Sequence, residues 1–391
     1  MRIALDYTAG IQQEVGVGHY VRSLLNAMLM LDVANTYTLL TSGRPTKERP
    51  FPAAPNIHGH KLLLPHRSFN MLWHKIPALL PTQLFTGHID MYHGLDDVLP
   101  PLHKRILKVV TIHNLTFLEH PEYVTPQMAT HLRKVIPIAL AEANVVVVVS
   151  HENARTLLKH YTTPPEKITI IPYGLRPHLR RITDPILRGA TTNKFGLKHP
   201  LVLGVGALEP RKNQLGLIRA FHQTQHHKHQ RPAMLALAGG GGWLGDEAHQ
   251  LVTDLKLEKK VRFLGRVSDL ELAILYSLAD VCAFPSFFNN TGLSPLEAMA
   301  CGAPIIVSNT VCLPEIVGEA ALTVNPHEPA ELATAIMRLI GDKNLSENLR
   351  QQGYTRAQSY TWPKSAKKML DIYTKLYNGT TDFSGEVVYT Q

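Results

Sequence analysis

The sequence predicts an α/β protein built from two doubly wound, Rossmann-like halves, and three observations carry that prediction. Its 391 residues exceed what one typical core organises. Short β-branched runs alternate with longer amphipathic stretches along nearly the whole chain. Several runs are apolar throughout, as in Val145-Val146-Val147-Val148-Val149, which marks a parallel strand covered on both faces.

Taken in order, the strands expected in the first half are Arg2–Asp6, Thr36–Thr41, Val109–His113, Val145–Ser150 and Lys167–Pro172. Those of the second half are Leu201–Gly206, Met234–Ala238, Val261–Leu264, Val281–Pro285, Pro304–Ser308 and Ala321–Val324. Between about Pro177 and Pro200 the sequence is Arg-rich and punctuated by Pro and Gly, with no clear strand, and reads as a linker. The expected division is therefore residues 1–180 and 181–360, with strand carboxyl ends presented to a shared cleft. Residues 361–391 are expected to form a crossover helix, Pro363–Tyr377, and a polar tail that pack back on the first half. The aromatics of Tyr360-Thr361-Trp362 would anchor that crossing.

Composition narrows the function classes. A hydrophobic fraction of 45% and a charged fraction of 18% suit a globular protein. No run approaches the roughly 18 apolar residues of a membrane span. The N-terminus reads as a strand rather than a signal peptide. Cys282, Cys301 and Cys312 include no CxxC pair and read as buried thiols of a reducing compartment, so a cytoplasmic location is expected. The net charge of +9 is scattered, without an aromatic-interleaved patch, which argues against nucleic acid. It suits a nucleotide diphosphate, a lipid diphosphate or an anionic membrane face, and equally a protein that is simply basic. Oligomeric state is left open.

Four segments fall where doubly wound folds keep their functional loops. Gly16-Val17-Gly18-His19-Tyr20 opens a helix near the first strand, and its glycines admit a ligand to the backbone and helix dipole. It is not a full GxGxxG, so a plain tight turn is the alternative. His113 ends a strand in Thr111-Ile112-His113-Asn114; such a His is either structural or faces a reacting group. In Gly206-Ala207-Leu208-Glu209-Pro210-Arg211-Lys212-Asn213, Arg211 and Lys212 sit at a helix start, where cations oppose the dipole unless an anion lies between. The fourth segment runs from Phe284 through Asn289-Asn290-Thr291-Gly292-Leu293 to Glu297. Its strand–loop–helix pattern places N–H groups and one acid together, able to hold a phosphate and grip a sugar hydroxyl. Spacing alone leaves Glu297 either a dipole partner or a ligand for vicinal hydroxyls.

Together these segments resemble the retaining GT-B glycosyltransferases of the large family 4 type, the glycosyltransferases group 1 that include many mannosyltransferases. The resemblance runs from Met1 to about Tyr377 and is strongest from Leu201 to Glu315. It also includes His93-Gly94 with Pro100, Gly265-Arg266-Val267-Ser268-Asp269 and Leu313-Pro314-Glu315. It implies a GT-B fold in which Arg211 and Lys212 hold the donor diphosphate and Glu297 the ribose hydroxyls. The backbone of Asn290, Thr291, Gly292 and Leu293 would meet the phosphate, and Val267 would lie at the base. Gly16 and Gly18 would line the junction of donor and acceptor, with His113 and Asn289 beside the transferring sugar. No metal or other cofactor is implied, the nucleotide sugar being a substrate.

The chain departs from the pattern at two places. The family usually carries Glu where Asn289 stands, then Gly-Phe-Gly, here Asn290-Thr291-Gly292; it usually carries Asp where Asn114 stands. Asn289 loses a charge yet keeps an acceptor oxygen, so hydroxyl recognition is expected to persist. The expectation is a working hexosyltransferase, GDP-mannose the preferred donor, acting on a glycan or lipid-linked saccharide in surface polysaccharide biosynthesis. The alternatives are a non-catalytic sugar-nucleotide-binding subunit and a GT-B nucleotide-sugar epimerase. Leu62–Lys75 mixes apolar and basic residues and reads either as a peripheral contact with the inner membrane face or as a buried helix with a basic edge.

Overall fold

The computed structural model describes residues 1–14, 16–42, 50–61, 86–113, 115–227, 232–242, 244–289 and 291–384. The chain divides into two compact units, one comprising Met1–Gly174 with the chain from Trp362 onward, the other Leu175–Thr361.

In the first unit β1 (Arg2–Asp6), α1 (Thr8–Gln12) and α2 (Val17–Leu31) lead to β2 (Thr36–Thr41), β3 (Ile57–Lys61), β4 (Met91–Gly94) and β5 (Leu107–Ile112). Then follow α3 (Thr116–Glu119), α4 (Pro126–Glu142), β6 (Val145–Val148), α5 (His151–His160) and β7 (Ile168–Ile170). The strands form one parallel sheet in the order β3-β2-β1-β4-β5-β6-β7. The valines of β6 show why: all four are fully buried, and Val146 and Val148 pack with Ile112, Ile136 and Leu157. Each such burial contributes about 1.5–3 kcal/mol. The strand stops at Val148 because Ser150 turns to cap α5, its hydroxyl accepting the Asn153 N–H at 3.1 Å.

The second unit holds α6 (Pro185–Phe195), β8 (Leu201–Val205), α7 (Gln214–Thr224), β9 (Met234–Ala238), α8 (Gly245–Asp254), β10 (Val261–Gly265) and α9 (Asp269–Leu278). It continues with β11 (Val281–Phe284), α10 (Leu293–Ala300), β12 (Ile305–Ser308), α11 (Leu313–Val317), β13 (Leu322–Val324), α12 (Pro329–Gly341) and α13 (Lys343–Ala357). Its parallel sheet runs β10-β9-β8-β11-β12-β13. The chain then returns to the first unit as α14 (Trp362–Tyr377). That helix buries Trp362, Ser365, Ala366, Met369, Ile372, Tyr373 and Leu376, an apolar stripe at helical spacing laid on α2. Its Ser365 hydroxyl donates to the Pro172 carbonyl at 2.7 Å.

Two parallel-sheet α/β units with a returning helix make the GT-B fold. The segment read as a linker carries α6, with Asp184 as N-cap, Pro185 in the first turn and Gly196 in a left-handed C-cap. Strands β3 and β4 were not among those expected. In each sheet the strand order reverses direction once, at β1/β4 and at β8/β11. Ligand crevices of open α/β sheets open at the carboxyl ends of such strands. Among the described residues no helix is long and apolar enough to cross a membrane. The segment Leu62–Lys75 lies outside the described residues.

Candidate active site

In the second unit both functional loops leave the two strands that flank the order reversal. From β8 the chain passes Gly206, whose φ of +139° lets the backbone turn beneath the stem of Lys212. A tight turn, Pro210–Lys212, then carries Arg211 and Lys212, and Asn213 closes it at φ +53°. The Asn213 side chain caps α7 by accepting the Gly216 N–H at 3.2 Å and donates to the Pro326 carbonyl at 2.7 Å. The two cations thus stand just before α7 rather than on it. Arg211 pairs with Glu209 at 2.9 Å. Lys212 makes no ion pair among the described residues, and burial, then the charge of Arg211, lowers its pKa to about 8.

The loop after β11 is tied to that turn through the main chain. The Arg211 carbonyl accepts the N–H groups of Phe287 at 2.9 Å and Phe288 at 3.4 Å. Asn289 is buried, and its Oδ1 accepts the N–H of Thr291 at 3.2 Å and of Gly292 at 3.1 Å. The loop's own backbone thus uses this oxygen. It also engages the Gly292 N–H, leaving those of Leu293 and Ser294 as the donors of the α10 terminus. Gly292 sits at φ +59°, where an added Cβ would lie 2.8 Å from Ile316. Asn290, like Asn114, lies outside the described residues. Asn289→Ala should therefore cost about 1–2 kcal/mol of stability in a denaturant melt, the price of two lost hydrogen bonds, while isosteric Asn289→Asp retains it.

Glu297 stands in the first half of α10 and is 3% exposed. Burial raises its pKa to about 7 against the opposing charge of Arg176. Arg176 donates from Nε and Nη2 to the same oxygen, Oε1, at 2.9 Å each. Its Nη1 bonds Asp269, which His178 also contacts at 2.6 Å. Arg176, His178 and Asp269 went unread in the sequence as site residues, because their partners lie some 90 to 120 positions away. Val267 is half-buried between β10 and the Ser268 cap of α9, packed on the core.

In the first unit Gly16 is the N-cap of α2 at φ +64°. Gly18 has a packing reason: a Cβ there would meet the Gln13 carbonyl at 2.1 Å and the Ala9 carbonyl at 2.6 Å. Arg22, one turn on, holds the preceding loop by donating to the carbonyls of Gly10, Gln13 and Glu14 at 2.6–2.7 Å. His113 directly follows β5, buried edge-on against Tyr20 with ring centroids 4.6 Å apart. Its Nε2 bonds the Leu95 carbonyl at 2.8 Å, an acceptor only, so Nε2 carries the proton and Nδ1 accepts from the Tyr173 hydroxyl at 2.8 Å. Burial lowers its pKa to about 4. With both nitrogens committed the ring is a fixed neutral group, and a proton-transfer role would break one of these bonds. Asp97 accepts the His113 N–H at 2.6 Å. Burial, then the charge of Asp6, raises neighbouring Asp96 to about 7. His93 is bonded to Thr111 at 2.8 Å and to Tyr373 of α14 at 2.6 Å.

Cations and a buried carboxylate at the reversal of a parallel sheet stand where open α/β folds bind their ligands. Comparison with known families makes this specific. The family described as Glycosyl transferases group 1 matches residues 191–356, and the one described as Glycosyltransferase Family 4 matches residues 15–179. The chain belongs to the family 4-type GT-B glycosyltransferases and is a glycosyltransferase. It is 28% identical over 291 residues to the O-antigen chain mannosyltransferase B of Escherichia coli, covering 73% of this chain and 74% of that one. It is also 28% identical over 260 residues to a D-inositol 3-phosphate glycosyltransferase of Corynebacterium aurimucosum, covering 64% and 61% of the two. Among solved structures, the sucrose-phosphate synthase of Thermosynechococcus elongatus aligns with a TM-score of 0.73 at 23% identity, over 97% of this chain and 99% of that one. HepE of Anabaena, in complex with UDP and glucose, aligns with a TM-score of 0.72 at 19% identity, over 96% and 100%.

Proposed function

We propose that this chain is a retaining hexosyltransferase that moves mannose from GDP-mannose to a glycan or lipid-linked saccharide acceptor in surface polysaccharide biosynthesis. The observation that carries the reading is Lys212, a half-buried cation with no ion-pair partner among the described residues, on the loop bonded through Arg211 to the one that leads to Glu297. Two cations neutralise the charge that builds on a departing nucleoside diphosphate, which is the largest task in such a transfer. Glu297 takes the ribose hydroxyls, and the helix-end donors of Leu293 and Ser294 meet a phosphate. Retention then follows front-side attack, the leaving phosphate oxygen taking the acceptor's proton. No protein base is needed, in keeping with the committed ring of His113. Resemblance to an O-antigen chain mannosyltransferase and to the mannosyltransferase WbdA supports mannose and polysaccharide.

The test is turnover of GDP- and UDP-hexoses with and without a lipid-linked mannoside acceptor, in the presence of EDTA. Acceptor-dependent consumption of GDP-mannose with an α-linked product is expected. Nucleotide release from UDP-sugars alone would sink the mannose reading. A second reading, a donor-binding subunit without turnover, is favoured by one observation, the loss of a carboxylate at Asn289; it predicts GDP-mannose binding with no product under any acceptor. Peripheral contact with the inner membrane face belongs to the same proposal, through the segment Leu62–Lys75.

A further inference from the structure

Arg176 meets Glu297 in an unusual way. An arginine and a carboxylate commonly pair fork to fork, using both oxygens. Here Nε and Nη2 converge on Oε1 alone, and no described group bonds Oε2. The guanidinium is itself fixed from the other side, since Nη1 is held by Asp269, whose second oxygen is held by His178. The chain from His178 to Glu297 is therefore a relay of fixed contacts ending on one oxygen of a nearly inaccessible acid, with the other oxygen open.

We propose that Arg176 is a positioning residue for the nucleotide: it pins Glu297 through Oε1 so that Oε2 is presented, already oriented, to the vicinal hydroxyls of the donor ribose. This rests on the reading of Glu297 as the ribose carboxylate. An acid so buried has few rotamers to lose, and an orienting cation holds it still before the ligand arrives. The opposite role is conceivable chemically, with Arg176 as a competitor that ribose must displace. The two roles predict opposite signs when Arg176 is removed.

The experiment measures binding of GDP and UDP, and of their 2′,3′-dideoxy counterparts, to the full chain by calorimetry. The wild type is expected to prefer each ribonucleotide by about 10- to 100-fold, the value of hydrogen bonds to a charged group. Arg176→Gln should bring that preference to within about threefold, while leaving the affinity for inorganic pyrophosphate within about twofold. Arg176→Lys keeps the charge but not the fork and should lose most of the preference; it carries the same readout if Arg176→Gln does not fold. Asp269→Ala, which frees Nη1, should lie between. Unchanged preference in the Arg176 variants, or tighter ribonucleotide binding, overturns the proposal. Glu297→Gln separates the two levels. If it keeps the preference, or the wild type has none, the ribose reading falls and the proposal with it. If it loses the preference while Arg176→Gln keeps it, only the positioning role falls.

Discussion

Replacing Lys212 by Met should lower kcat about 100- to 1,000-fold at saturating donor while leaving the melting temperature of the free protein unchanged or higher. The stem of Lys212 lies against Gly206, within 3.4–3.5 Å of where a Cβ would stand. Its ammonium is held in a partly desolvated position beside a second cation, Arg211, which is what pulls its pKa down to about 8. Such a placement is unfavourable to the empty protein. Only an anion repays it, and the charge of that anion grows as the nucleoside diphosphate leaves, so the loss falls on kcat more than on KM. Arg211→Met should cost less, because Glu209 already shares the guanidinium. Steady-state kinetics with a thermal melt on the same preparations checks both halves. A fall in melting temperature together with an unchanged kcat would mark Lys212 as structural.

The second large effect is on pH. Glu297 has its pKa raised to about 7 by burial, and Lys212 has its pKa lowered to about 8 by burial and Arg211. On the proposed function, donor capture requires the first ionised and the second protonated. Below about 7 Glu297 takes up a proton and loses acceptor strength; above about 8 Lys212 gives one up and loses its charge. Because kcat/KM reports groups of the free enzyme, it should rise through the first value and fall through the second, a narrow bell. Each limb should approach a tenfold change per pH unit, so about 100-fold is lost two units below the acid limb. Glu297→Gln should flatten the acid limb at a lower plateau, and Lys212→Arg should flatten the alkaline one. A wild-type profile that is level from pH 6 to 9 would remove both assignments.

Much of this was open to a reader of the sequence, for physical reasons that differ by element. Val145–Val148 and Met234–Ala238 could be seen because a strand covered on both faces must be apolar at every position. Strand β4 hid because it has four residues and one is His93, a polar ring made acceptable in the core by Thr111 and by Tyr373, which is 280 positions away. Helix α6 was legible in its caps, Asp184-Pro185 and Gly196, but its Arg- and Gly-containing body has the composition of a linker. In the site, Lys212 and Glu297 followed from the resemblance and from helix-end electrostatics. Arg176 did not, since nothing local distinguishes an arginine that bonds an acid 121 residues later. Asn289 was found as a missing charge; that its oxygen serves the loop is a matter of backbone geometry that spacing does not contain.

The bonds from Phe287 and Phe288 to the Arg211 carbonyl have a consequence for how such an enzyme changes over generations. A junction made of peptide groups is indifferent to which side chains adorn either loop. Side chains on either loop can therefore be exchanged without unfastening this junction.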